Sequence, residues 1–475
     1  MNHDNRQPLL GRIHPLAAIF ILSPFILYAI ALLLPTFDDW TYYTAPWFGD
    51  LLSYRLLPNA SYWRPFDAVF GWLLGLEPRL FPVLNHVFVY AAHLGCTVLV
   101  FRLCAMLGFN SVARNTATIF FFISPATLGT VLGIDSLNQA YSQFWGLLAL
   151  WCHLGGARRH RRTLWVACAL VATLCKENGI MFLFIPPVIA YGFRRARWSS
   201  LRTDLAVAAA AAIAYLAVRL ALTNSHVEVN DEYFENTLFS KLKHIGTFVG
   251  MTWIPLDYVS LIHTPSRNWL TLALTLLLPM PFIAMLFIKG RRLLAGRRFL
   301  ALAAAMCMAA LPHLLTLFTA MHAYSGLAMS ALIVAYLADK LRYSRAFGAL
   351  FALFVVSCLY VDWHHWQKSY ESGLMGQRMG REAIEKTGRP VKRVYSISVR
   401  GHERKYSSFC VLPADAFAWG GAAYAASGYK WPEECLDTAI TVEDRWMVDS
   451  LADRALKWGY ERVWLVHGDT VDVIR

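Results

Sequence analysis

Charge is scarce in this chain. Asp, Glu, Lys and Arg make up 16% of its 475 residues against 57% apolar residues, and the mean hydropathy is +0.41. That balance excludes a soluble globular protein of this length, and the apolar excess falls in runs of membrane-spanning size. A Walker A loop and a dinucleotide-type glycine motif are both missing, which argues against nucleotide chemistry within the chain. No internal repeat or low-complexity tract stands out, and nothing resembles a TPR array. Histidines and cysteines do not fall at metal-ligand spacings. No cofactor is therefore expected, with a divalent metal left open. Seven of the nine cysteines (Cys96, Cys104, Cys152, Cys168, Cys175, Cys307 and Cys358) lie in apolar runs and read as inert thiols.

What is present is a series of spans. Residues 15–35 carry no charge over about 30 Å of helix and read as a retained first anchor, too long for a cleaved signal peptide. Further spans are expected near 82–104, 115–133, 138–155, 164–175, 178–193, 203–222, 268–288, 299–320, 324–339 and 346–362. Before residue 365 the basic residues gather in six short clusters, including Arg158 to Arg162, Arg194 to Arg202 and Lys289 to Arg298. The alternate loops hold few. By the positive-inside rule those clusters are cytoplasmic, so the net charge of +13 is topology and nucleic acid is not an expected partner. The run 244–262 is apolar enough to span, but counting it would place Lys289 to Arg298 outside. It reads instead as a helix lying on or dipping into the outer surface.

This gives eleven spans, a cytoplasmic N-terminus and an external tail. The fold class is mainly α: a membrane helix bundle over 1–364, with a small extracytoplasmic α/β domain over 365–475. The tail holds 31 of the 75 charged residues and alternates short apolar strands (391–399, 462–467) with helix-like stretches (414–427, 445–458). Its two cysteines, Cys410 and Cys435, are a candidate disulfide if the tail faces an oxidising space.

Chemistry concentrates on the outer side. The first external loop, 36–80, opens with Asp38-Asp39 and continues with Tyr62-Trp63-Arg64-Pro65-Phe66 amid many aromatics, which favour the membrane interface. Neighbouring carboxylates push one pKa up and leave the other ionised, which suits a general base near neutral pH. Either acid could alternatively cap the following helix. Arg64 offers a planar donor fork for phosphate or an anchor to lipid headgroups. Lys176-Glu177, between two short apolar helices, is placed to hold an anion, or the two residues satisfy each other. Arg219 either snorkels to headgroups or faces the same cavity. His86, His93, His313 and His322 cluster on this side and read individually as packed histidines. Asp135 is a weaker acid candidate.

Together these features resemble the GT-C superfamily of polytopic membrane glycosyltransferases, and within it enzymes related to protein O-mannosyltransferases. The resemblance covers roughly residues 15–340. It rests on Asp38-Asp39 after span one, Arg64-Pro65, the pattern LNHVFVYAAH (84–93), Ser124-Pro125 breaking span three, the junction at 170–177, and YLAVRL (215–220). It implies a polyprenyl-phosphate-sugar donor, an acceptor hydroxyl on a glycan, lipid or protein, catalysis on the extracytoplasmic face of a bacterial inner membrane, and inversion at the anomeric carbon. Asp38 would be the base, with Asp39 its partner. Arg64, Lys176 and Glu177 would lie near the donor phosphate, and Arg219, His86, His322 and Tyr324 would complete the substrate site. Where relatives often carry an Arg-Tyr pair, this chain reads Met321-His322-Ala323-Tyr324.

Two other classes compete. A flippase or transporter of lipid-linked glycans would spread its charges through the bilayer depth, whereas here they gather at one end. A membrane assembly protein presenting the tail would not need Asp38, Arg64 or Lys176.

Overall fold

The computed structural model describes residues 14–36, 39, 56, 63–75, 81–133, 135–155, 160–194, 197–223, 237–257, 260–261, 268–314, 320–341, 344–391, 393–399, 421–428, 440–442 and 445–475. Asp38, Cys410 and Cys435 lie outside them. Helices α1 (Pro15–Ala31), α2 (Pro65–Gly75), α3 (Phe81–Met106), α4 (Ser111–Ile123), α5 (Leu137–Gly155), α6 (Arg161–Cys175), α7 (Ile185–Arg194) and α8 (Trp198–Leu222) come first. They are followed by α9 (Leu238–Trp253), α10 (Trp269–Leu277), α11 (Met280–Gly290), α12 (Arg297–Ala310), α13 (Ala323–Asp339) and α14 (Arg345–Thr387). Helix lies at each of the eleven segments read as spans. Five stretches (Pro82–Met106, Trp198–Leu222, Trp269–Leu293, Ala320–Asp339 and Arg345–Thr387) are long and apolar enough to cross a membrane. The others are short for local reasons. Pro125 ends α4 by forcing Ser124 into an extended conformation, and an extended Lys176 separates α6 from the helix that follows.

Helix α13 is apolar on all sides, and every residue from Ala323 to Ala338 is buried, so it forms the centre of the bundle. The basic residues gather at one end. There Arg161 and Arg162 reach the buried Asp204 at 3.3 and 2.8 Å, and Arg297 stacks on Tyr191 at 3.7 Å. Lys176 stands at the far end of α6, about 22 Å from Arg161 along the helix axis. Helix α9 does not rest on the surface along its whole length. Trp253 near its end packs against Phe120 of α4 and Phe287 of α11 at 5.9 and 5.3 Å, so this end enters the bundle.

One continuous helix, α14, crosses from the membrane module into the tail without a break at 364 and 365. It ends on Gly388, whose φ of 71° allows the left-handed turn that closes it. Beyond it come β1 (Val394–Val399), α15 (Gly421–Ala426), β2 (Ile440–Val442), α16 (Arg445–Lys457), β3 (Arg462–His467) and β4 (Thr470–Val473). The sheet order is β2-β1-β3-β4, with β1 parallel to both neighbours and β4 antiparallel to β3. Trp464 of β3 donates to the hydroxyl of Thr387 at 3.0 Å. Gly380 lets the backbone of α15 approach α14: a Cβ there would lie 2.4 Å from the Ala422 carbonyl. A single apolar cluster joins Val89, Leu137 and Ala140 of the bundle to Met379, Ala422 and Trp464. It seats the sheet on the end of the bundle that holds α2 and the start of α5.

Candidate active site

The site is built around a helix break. Helix α6 stops at Cys175, Lys176 takes an extended conformation with φ −154° and ψ 140°, and a 3-10 helix, Glu177–Leu183, turns the chain back. The turn is tight because position 179 is glycine: a Cβ there would sit 2.3 Å from the Ala172 carbonyl oxygen. Gly179 N–H closes the turn on the Lys176 carbonyl at 2.8 Å. The Lys176 side chain is thereby aimed into the protein, where the residue is 8% exposed. Among the described residues its ammonium donates to the Met321 sulfur, at 3.0 Å. A thioether is a weak acceptor for a cation with three N–H groups. Burial, followed by the Arg64 charge, lowers the Lys176 pKa to about 8 against the pull of Asp135, Glu177 and Asp67. Met321 can stand there because Gly129 admits its backbone: a Cβ on that glycine would meet the Met321 nitrogen at 2.6 Å.

Arg64 precedes Pro65, which begins α2 with its φ already helical. Its guanidinium holds Glu177 through Nε at 3.1 Å to both carboxylate oxygens and through a terminal nitrogen at 3.0 Å. Burial pushes Glu177 up, but Arg64 and Lys176 outweigh it and leave the carboxyl below its ordinary range. Beside Arg64, Trp63 stacks on Tyr215 of α8 at 5.6 Å and 12°. Arg219, one turn further on, is within electrostatic reach of the same Tyr215 hydroxyl, as are Glu177 and Arg64. The structure thus gathers Arg64, Lys176, Glu177 and Arg219 at one place.

Asp39 is buried, and both carboxylate oxygens accept backbone amides: Oδ1 from Asp135 at 2.9 Å and Oδ2 from Thr36 at 3.0 Å. It staples the exit of α1 to the loop before α5. Asp67, fully buried on the first turn of α2, accepts from the Asn138 amide at 2.9 Å. His313 and His322 stack at 4.2 Å between ring centroids. Burial first, and then the neighbouring imidazole of His313 and the charges of Lys176 and Arg64, hold the His322 imidazole well below its ordinary pKa. Tyr324 is fully buried and lies 3.0 Å from His93 Nδ1. Since the Phe122 carbonyl can only accept, at 3.2 Å from Nε2, the Tyr324 hydroxyl donates to Nδ1. His86 is fully buried on α3 facing the Leu33 backbone, on the α1 side of the bundle.

An apolar cavity of about 340 Å³ opens next to the paired histidines. Phe248, Trp253, Phe287, Met306, Leu314 and Ile333 line it, and Phe248 also stacks on His313 at 6.2 Å. Phe248 of the chamber thus stacks on His313 and His313 on His322, and both imidazoles lie within electrostatic reach of the Lys176 ammonium.

Met321 and Asp67 were not singled out by the sequence. Asp67 carried a usable signal, a lone carboxylate three positions after Arg64 on an otherwise apolar helix; Met321 carried none. Asp257, with His364 and His365, was also missed.

No family model matches the chain, and no curated protein does. Among solved structures, ArnT from Cupriavidus metallidurans in the apo state is similar, with a TM-score of 0.53 and 12% identity over 95% of this chain and 92% of that chain. The likeness covers nearly the whole of both chains, and at this identity it speaks for fold alone: this chain shares the polytopic helical fold of that structure.

Proposed function

We propose that this chain is a membrane glycosyltransferase that moves a sugar from a polyprenyl-phosphate donor to an acceptor hydroxyl on the extracytoplasmic face. The observation that carries the reading is Lys176, a buried ammonium held against a thioether beside the Arg64–Glu177 pair, with the stacked His313 and His322 between it and an apolar chamber. A phosphate ester with an isoprenoid tail matches both halves of that arrangement. The tail would occupy the chamber, and the phosphate would lie on Lys176 with Arg64 alongside.

The reaction then needs little beyond placement. The acceptor oxygen attacks the anomeric carbon from the face opposite the phosphate, and the bond from that carbon to the phosphate oxygen breaks. The electron pair leaves with the phosphate. Fixed cations in a site of low dielectric stabilise that developing charge. The acceptor proton passes to a carboxylate, assigned here to Asp38, while Asp39 anchors the loop that carries it. Inversion follows from a single displacement. The GT-C resemblance of the quoted motifs supports this reading over a transporter, as does the gathering of Arg64, Lys176, Glu177 and Arg219 at one end of the bundle. The finer resemblance to protein O-mannosyltransferases rests on the quoted motifs.

The test is retention and turnover of a radiolabelled polyprenyl-phosphate sugar by the purified protein in bilayers. Wild type should bind the donor and Lys176→Ala should lose roughly ten- to a hundredfold in affinity, the worth of a charge-assisted contact. Equal retention by both would remove Lys176 from the donor site.

A further inference from the structure

A second polar centre lies on α14 outside the site just described. Asp257 is fully buried, yet its carboxylate receives four donors. His364 Nδ1 at 2.9 Å and the Ser260 hydroxyl at 2.7 Å bond Oδ2, while His365 Nε2 at 3.4 Å and the Ser260 amide at 3.2 Å bond Oδ1. Burial opposes ionisation, but the bonds from His364, His365 and Ser260 hold the acid far below the ordinary carboxylate range. A buried carboxylate so fully committed to two imidazoles fixes their ring planes, as it does behind ligand-bearing histidines elsewhere. Nδ1–H of His364 is bound to Asp257, so its Nε2 faces outward. The side chain is 18% exposed, and among the described residues Nε2 has no partner.

The surroundings say what that nitrogen meets. Tyr360, His364 and Lys368 stand four residues apart and so share one face of α14. The Tyr360 hydroxyl lies 3.5 Å from that of Thr271 on α10. Lys368 pairs with Glu371 at 2.6 Å and keeps further N–H groups. Below this stripe, Val356, Leu359, Leu274 and Leu277 are exposed, at 58, 52, 45 and 62%. At its level Trp363 and Trp269 are exposed at 56 and 69%, the aromatic signature of a membrane–water interface. His364 is 19 residues beyond Arg345, about 29 Å along the helix, and the neighbouring Trp366 bonds the Ala29 carbonyl near the end of α1. The stripe therefore sits at the same end of the bundle as Lys176, where apolar lipid-facing surface gives way to headgroups.

We propose that Tyr360, His364 and Lys368 form a binding site for the phosphate headgroup of a membrane lipid, with Asp257 pairing with His364 as the imidazolium, so that Nδ1–H is held by the carboxylate and Nε2–H points at the phosphate. The acyl chains lie on the exposed apolar face of α10 and α14 below. The assignment does not rest on the glycosyl-transfer reading.

Native mass spectrometry of the full chain in detergent tests it, with dioleoyl-phosphatidylglycerol as probe, dioleoylglycerol as the lipid lacking phosphate, and inorganic phosphate as competitor. Wild type should retain phosphatidylglycerol and not dioleoylglycerol, with millimolar phosphate unable to displace it. His364→Asn keeps an amide donor for Asp257 while deleting Nε2, so the fold is spared. It should lower retention roughly tenfold, and Lys368→Gln should lower it further. His364→Gln, which returns a donor near the Nε2 position, should recover part of the loss. Wild-type retention by a folded His364→Asn protein, or equal retention of dioleoylglycerol, would overturn the site. Displacement by inorganic phosphate would overturn the lipid as its ligand.

Discussion

Arg64 and Glu177, 113 positions apart in the chain, meet through three nitrogen–oxygen contacts of 3.0–3.1 Å. The pair joins the segment that leads into α2 to the break after α6 and fixes the guanidinium beside Lys176. Each side chain is about a quarter exposed, so the pair is neither a free surface bridge nor a fully desolvated one. Its consequence is positional. Glu177→Gln should leave Arg64 charged but loosely held, raising the KM for a lipid-linked donor several-fold while the melting temperature changes little. Arg64→Ala should lower donor affinity further. In a double-mutant cycle the two effects should be less than additive, because they share one contact.

Lys176 gives the site a pH dependence whose direction is fixed. On the proposed reading donor capture requires the ammonium, and burial brings its pKa down to about 8. Donor affinity should therefore be full below that pH and fall as pH rises through it, with Lys176→Arg abolishing the fall. Stability runs the other way. Between about 8 and 10.5 the unfolded chain holds a proton that the folded chain has released, so the unliganded protein should gain stability as pH rises across that window. Thermal melting of Lys176→Met across the same window should show no such gain from this group.

The two adjacent acids of the first loop separate by readout. Asp39 receives two backbone amides while buried, so Asp39→Ala strands both donors and should cost roughly 2–4 kcal/mol of stability. Asp38→Asn should leave the melting temperature unchanged and cost on the order of 10²–10⁴ in turnover, the usual price of a lost general base. Thermal melts and single-turnover assays on both variants check the division. A dead Asp39→Asn protein with unaltered stability would exchange the roles.

Much of this was legible in the sequence because membrane insertion writes itself in runs and in charge asymmetry. The helix positions, the basic end of the bundle, the strands near 394–399 and 462–467, and the grouping of Arg64 with Lys176 all follow from such patterns. What escaped was set by tertiary contact. Nothing in the order of residues says that Met321 lies over Lys176, because Gly129 creates that approach 192 positions away. Nor does the pattern VDWHHWQ announce that both histidines share Asp257, whose own neighbourhood reads as an apolar surface helix. The continuity of α14 was hidden for a different reason. Composition changes abruptly near residue 365, but a helix can pass from lipid to water without breaking its hydrogen-bond ladder.

Gly179 offers the sharpest test of how the site is held. It lies on no charged group and would not be chosen from the sequence. Yet an added methyl would fall 2.3 Å from both the Ala172 carbonyl carbon and its oxygen, far inside contact distance and against backbone that cannot swing away. Gly179→Ala must therefore push the 3-10 helix off α6. That movement carries Glu177 from Arg64 and Lys176 from Met321. We expect a stability loss of about 1–3 kcal/mol, the usual range for overpacking, together with loss of donor binding out of proportion to it. The same substitution elsewhere separates the two effects. Gly348→Ala, on α14 where a Cβ meets nothing within 4 Å, should leave both properties at wild-type level or slightly raise stability. If Gly179→Ala binds donor normally, the break after α6 does not position the cations, and the site must be sought elsewhere in the bundle.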